Sequence, residues 1–271
     1  MCNINLIYRK DKTASYKIPE LMNIISFYSF VDNNDGEGCV YFLNDDLLIK
    51  KSVNKLRYLK PTWFLVSHQR LATSGYNAEN IHPIETKDLL ILHNGVIYDF
   101  GDEEKSDTYY LAEMLQKHYK KYKDVSKAVR RITKEISGSY SVVVIEKKTK
   151  KVFYFKNDRT NMFILNSKNY IIMSTERANV SFAKYWLKCV GKIKRVESNY
   201  VYDVLNGFKK IRVFEPKTYS CGYSKGWYGC YGDYGYDGYD YYDTNKSHDA
   251  GVQTLLGVNY GAKKLSQKAL R

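Results

Sequence analysis

Every apolar run in this chain of 271 residues is short. Residues 3–8, 63–67, 89–92, 140–145, 152–155 and 170–173 are rich in β-branched, aromatic and aliphatic side chains and are bounded by turn residues, so each is predicted to be a strand. Two longer stretches have helical spacing, 19–28 and 108–136, the second broken near Lys123-Asp124. Strands interrupted by helices predict sheets covered by helices, an α/β (α+β) layered sandwich. No run reaches 18 apolar residues, so no membrane-spanning helix is expected. Charges at Arg9-Lys10-Asp11-Lys12 leave no apolar region for a signal peptide. The length suits one large domain with an appendage better than two full domains.

Charge is the next constraint. The net charge of +14 has two readings, a lysine-rich solvated surface or an affinity for nucleic acid. The densest cluster is Lys117, Lys120, Lys121, Lys123, Lys127, Arg130, Arg131 and Lys134. It shares its helical stretch with an apolar stripe of Leu111, Leu115, Val125, Val129 and Ile132, which must face a core and so sends the charges to solvent. Tyr119 and Tyr122 fall among these cations, but the apolar stripe already accounts for where the charges lie, so the solvated reading is preferred over nucleic acid. Five cysteines, at 2, 39, 189, 221 and 230, form no Cys-x-x-Cys pair and no zinc spacing. An odd count without a secretion signal favours reduced thiols in the cytoplasm.

One of those cysteines has a special place. Cys2 directly follows the initiator methionine, whose removal a small second residue permits. Cys2 would then carry both a thiol and a free α-amino group, which titrates near about pH 7.7–8.0. One residue can thus supply a nucleophile and its own general base. Far downstream stand Ser67-His68-Gln69-Arg70-Leu71-Ala72-Thr73-Ser74-Gly75, Asn80-Ile81-His82-Pro83, His93-Asn94-Gly95-Val96-Ile97 and Ser106-Asp107-Thr108.

In order and spacing these segments resemble the class II glutamine amidotransferases, the branch of the N-terminal-nucleophile hydrolases that frees ammonia from glutamine. The family's pattern runs Cys at the mature N-terminus, His-x-Arg-x-Ala-Thr-x-Gly, Asn-x-His-Pro, His-Asn-Gly-x-Ile and Ser-Asp-Thr, and all five parts have counterparts here. The stretches 33–38 and 136–141 also look like family segments, so the resemblance covers roughly residues 2–215. There are departures. Many relatives have Gly where this chain has Asn3, others have Arg-Gly ahead of the residue aligned with Asp35, and Asp99 stands where Asn is frequent. These leave the sub-branch open.

The resemblance implies a four-layer αββα sandwich over residues 2–216 and a role for each motif residue. Cys2 attacks the glutamine carboxamide, and its amine carries the proton to departing ammonia. Asn94 and the Gly95 N–H stabilise the oxyanion. Arg70 binds the substrate α-carboxylate and Asp107 the α-ammonium, while Thr73, Ser74 and Gly75 shape the loop around them. His82 is placed at the substrate site, although it and His93 look more like hydrogen-bonded structural histidines than catalysts; His68 reads the same way. Plainer readings stand beside these. Asn94-Gly95 could be a type I′ hairpin turn, Arg70 a solvated strand-end residue, and Asp107 or Ser106 a helix N-cap.

No phosphate-binding loop, dinucleotide fingerprint or metal constellation is visible, and no cofactor is implied. From about residue 217 the chain turns Tyr-, Gly- and Asp-rich and ends basic, which predicts a flexible low-complexity tail over 217–271. Too few residues follow 216 for the synthase domain that usually consumes the ammonia, so the partners expected are L-glutamine and a separate synthase subunit, or none beyond glutamine. Two alternatives remain, an N-terminal-cysteine amidohydrolase of another amide and a catalytically retired binding module.

Overall fold

The computed structural model describes residues 2–44 and 46–217, and the Tyr-rich segment lies outside them. Two antiparallel sheets form. The first contains β1 (Asn3–Arg9), β2 (Glu37–Leu43), β3 (Asp46–Ser52), β4 (Phe64–Gln69), β9 (Phe163–Asn166), β10 (Tyr170–Ser174) and β11 (Lys194–Arg195), in the spatial order β11-β9-β10-β1-β4-β2-β3. The second contains β5 (Ile84–Glu85), β6 (Leu89–Ile97), β7 (Gly138–Glu146), β8 (Val152–Lys156), β12 (Tyr200–Asp203) and β13 (Lys209–Val213), in the order β13-β12-β8-β7-β6-β5. Helices α1 (Lys17–Asp32) and α4 (Arg177–Trp186) cover the outside of the first sheet, packing on β1, β4, β9 and β10. Helices α2 (Asp107–Tyr122) and α3 (Val125–Ile132) cover the second, on β5, β6 and β13. This is the αββα sandwich.

Alternation along the strands divides the interior into layers. Ile4, Leu6 and Tyr8 of β1 meet Phe64 and Val66 of β4, Leu90 and Leu92 of β6, and Val143 and Ile145 of β7 between the sheets. The opposite face of the second sheet, with Leu89, Ile91, Val142 and Val144, packs on Leu111, Leu115, Val125, Val129 and Ile132. The sequence stripe is therefore buried, and all eight cations of the lysine cluster are exposed. The helical stretch breaks where expected. Lys123 takes a left-handed conformation (φ 52°) that ends α2, and Asp124 accepts from the Lys127 N–H to start α3. Among the described residues no helix is long and apolar enough to cross a membrane.

The sheets approach closely at one end. An added Cβ at Gly38 of β2 would stand 1.7 Å from the His82 carbonyl oxygen, so only glycine lets the 81–83 segment pass over that strand. Gly38→Ala should destabilise the protein by about 1–3 kcal/mol or more, seen as a lower urea midpoint at unchanged slope. An unchanged midpoint would mean that the His82 segment is free to move away.

Candidate active site

The site grows out of the pairing of β1 with β4, in which Asn3 opposes Gln69 and Ile4 opposes His68. One step further out, this pairing brings Cys2 beside Arg70. The Cys2 thiol is half-buried, donating to the Leu71 carbonyl and accepting from the Leu71 N–H, both at 3.3 Å. Alternation puts Cys2 on the face of Ile4 and Leu6, toward the second sheet. Burial pushes the thiol pKa up, and the Leu71 hydrogen bond and nearby Arg70 offset this only in part. A thiol so placed needs a base to become a nucleophile.

Across the gap, the His68 ring ties the two sheets together. Its Nε2 donates to the His93 carbonyl of β6 at 2.9 Å and lies 2.9 Å from His82 Nδ1, which also accepts from the His93 N–H at 3.4 Å. A carbonyl can only accept, so the His68 proton is on Nε2; a ring that accepts at Nδ1 gives His82 the same tautomer. His93 Nδ1 contacts Thr108 Oγ1 at 2.9 Å. All three rings are buried and each makes an internal hydrogen bond, while His68 Nδ1 has no partner.

Immediately beyond this tie lie Asn94 and Gly95. They are interior residues of β6, opposite Ser141 and Tyr140 of β7, so the hairpin-turn reading does not apply. Gly95 has φ +142°, and a Cβ there would stand 2.0 Å from the Ser139 carbonyl oxygen, so the position requires glycine. Asn94 shares the inter-sheet face with Leu90 and Leu92. Its side chain is 4% exposed, yet its buried Oδ1 has no hydrogen-bond partner. Native proteins rarely leave a buried polar atom unpaired.

The charged residues converge on the same end. Arg70, 4% exposed, donates through Nη2 to the carbonyls of Ser74 (2.7 Å) and Gly75 (2.6 Å), and through Nη1 to that of Asn77 (3.4 Å). It is thus no solvated strand-end residue. Burial lowers its pKa, and the proximity of Cys2, Asp35 and Asp107 opposes that lowering. Asp107 is buried at the join of β6 and α2, Oδ2 accepting from the Ile97 N–H at 2.7 Å and Oδ1 from the Thr108 N–H at 2.7 Å. Ser106 takes the N-cap position without a side-chain cap bond. In the loop, Thr73 is exposed, Ser74 half-buried and Gly75 buried, its N–H donating to the Asp102 carbonyl at 2.7 Å.

Two contributors carry little signal in the sequence. Asp35 Oδ2 accepts from the Ala72 N–H at 2.8 Å, and its own N–H donates to the Arg70 carbonyl at 3.0 Å, fixing the turn that bears Leu71. Asp35 stood out only as part of a Gly-rich turn. The Leu71 backbone, which holds the Cys2 sulfur, has no residue-type signature at all.

No family model matches the chain. It is similar in sequence to glutamine–fructose-6-phosphate aminotransferase (isomerizing) of Helicobacter pylori, 26% identical over 182 residues that cover 58% of this chain and 29% of that protein. The enzyme of the same name from Buchnera aphidicola is 33% identical over 124 residues, 40% of this chain and 19% of that one. In structure it is similar to the glutamine PRPP amidotransferase of B. subtilis complexed with ADP and GMP, with TM-score 0.60, 14% identity and coverage of 78% of this chain and 49% of that one. A second neighbour, the allosteric regulatory enzyme of purine biosynthesis, has TM-score 0.60 at 15% identity, with coverage of 78% of this chain and 49% of that one. The chain is a relative of the class II glutamine amidotransferases, enzymes with the N-terminal-nucleophile hydrolase fold. It spans less than half the length of these relatives and structural neighbours, 29% of the H. pylori enzyme and 49% of the B. subtilis one.

Burial holds His68, His82 and His93 below the ordinary histidine value, His68 to about 3. All three stay neutral in the fold while the unfolded chain takes up protons below about pH 6.5. Stability should therefore be level above that pH and fall below it, by up to about 1.4 kcal/mol per pH unit for each histidine. Urea unfolding at pH 7.5, 6.5 and 5.5 checks this. A level profile down to 5.5 would contradict the buried neutral cluster.

Proposed function

We propose that this domain hydrolyses glutamine to glutamate and ammonia through a thioester on Cys2, and passes the ammonia to a separate acceptor enzyme or releases it. The observation that carries the reading is the convergence of Cys2, Arg70 and Asp107 at one end of the β1–β4 pair, with Asn94 and Gly95 reached through the His68–His93 contact. With Met1 removed, the α-amine of Cys2 takes the thiol proton. The sulfur then attacks the carboxamide carbon, and the oxyanion is held by the Asn94 side-chain amide and the Gly95 N–H. Collapse breaks the C–N bond, and the amine returns its proton to the leaving ammonia. Water, activated by the same amine, cleaves the thioester to give glutamate and the free thiol.

Arg70 suits the substrate carboxylate. Three backbone carbonyls lock its guanidinium, and its Nε–H makes no hydrogen bond among the described residues. Held this way, it loses little freedom on binding. Asp107 supplies the opposite charge for the substrate ammonium, with its carboxylate fixed by two backbone N–H groups. A paired cation and anion select a free amino acid, which an amide lacking both α groups would not need. The setting proposed is cytosolic, and the thiols of Cys2, Cys39 and Cys189 being free supports it.

The mature protein should begin at Cys2 by intact mass, and Cys2→Ala should abolish glutamate release without unfolding the chain. Asn94→Ala should lower kcat by about 10²–10³ with a much smaller change in KM. A retained Met1 in an active enzyme, or an Asn94→Ala effect confined to KM, would contradict the assigned chemistry.

A further inference from the structure

Asn3, the residue where this chain departs from the glycine of many relatives, has a partner of its own. The side chain is 5% exposed, and its Oδ1 accepts a short hydrogen bond from the hydroxyl of Thr175. Thr175 is the first residue beyond β10 and grips β1 at three points. Besides donating to Asn3, its Oγ1 accepts from the Ile4 N–H at 3.2 Å, and its own N–H donates to the Ile4 carbonyl at 3.1 Å. Ser174 and Asn179 extend the grip, both donating to Asn5 Oδ1, at 2.7 and 3.0 Å.

The register shows why this end needs holding. On one side β1 pairs with β4 out to Asn3, but on the other its pairing with β10 stops at Asn5 and Ser174. Asn3 and Ile4 would thus have a single neighbouring strand, and strand ends held from one side fray. Cys2 is the next residue out. Its thiol and α-amine both have to stand correctly against Asn94 and Gly95, and a misplacement of about 1 Å can lower a rate 10²-fold.

We infer that Asn3 and Thr175 are positioning residues for Cys2: the Thr175 hydroxyl bridges the Asn3 side chain and the Ile4 N–H, and so sets the direction in which the first residue leaves β1. The inference rests on the glutaminase reading for its kinetic consequence and on geometry alone for the placement of the thiol. Thr175→Val keeps the shape and removes both hydrogen bonds of the hydroxyl, whereas Thr175→Ser keeps them. Asn3→Ala removes only the bridge to Asn3.

The experiment measures glutamate release by the full-length chain and its three variants, each confirmed by mass to begin at Cys2. Alongside it runs the rate of Cys2 alkylation by iodoacetamide, scored by peptide mass spectrometry. Thr175→Val should lower kcat at least tenfold with KM within about twofold, Asn3→Ala should lower kcat less, and Thr175→Ser should stay within about threefold of wild type. The alkylation rate should change threefold or more in Thr175→Val and return to the wild-type rate in Thr175→Ser. Wild-type kcat in Thr175→Val, a loss confined to KM, or an equal loss in Thr175→Ser would overturn the inference. If Thr175→Val fails to fold, Asn3→Ala decides, and wild-type kcat there would overturn it. A wild-type protein without glutaminase activity would sink the glutaminase reading instead. The placement would then stand with a changed Cys2 alkylation rate in Thr175→Val and fall with an unchanged one.

Discussion

The first strand of this protein is an interior strand. β1 lies between β4 and β10, so neither the segment before residue 70 nor that after residue 160 can complete the first sheet without it. That constraint sends the head of the chain into the sandwich and stops it at the mouth. Cys2, the residue that leads into β1, is bounded by Leu71 on one side and by the Asn3–Thr175 bridge on the other.

The two sheets meet at that mouth through polar contacts, not through the apolar layer that joins them elsewhere. His68, His82 and His93 make a neutral hydrogen-bonded chain between β4, the 81–83 segment and β6. Gly38 and Gly95 give up their side chains so that backbones can pass. The result is an interior end where polar groups and charges are held in place by the fold itself. On the outer face of the first sheet, buried Glu37 performs a similar service. It accepts from the Leu56 N–H at 2.6 Å and from Gln69 Nε2 at 2.8 Å, and Gln69 in turn accepts from Asn5 at 3.0 Å.

Much of this was legible in the sequence, unevenly. All six strands read from short apolar runs are present, because burial on both faces removes polar residues from them. Several of the other strands carry a weak sequence signal for physical reasons. β3 ends in Lys50-Lys51-Ser52 and has no fully buried residue, β13 carries Lys209, Lys210 and Arg212, and β9 and β12 are four residues each. α4 was missed because its buried residues are few and include Asn179, a polar group of the network behind β1. Asn94-Gly95 has the composition of a turn but sits in a strand, and only the approach of Ser139 explains the glycine. The motif residues could be read, whereas their backbone partners could not, since a carbonyl has the same chemistry in every residue type.

The central claim is that Cys2 is a nucleophile aimed at the carboxamide of a free amino acid. A glutamine analogue with an electrophilic side-chain terminus tests it most directly, with the labelled residue found by peptide mass spectrometry. The account expects stoichiometric labelling of Cys2 and not of Cys39 or Cys189, slowed by added glutamine and unaffected by an amide lacking the α-amino and α-carboxyl groups. Labelling spread over the other cysteines, or equal protection by both compounds, would contradict it.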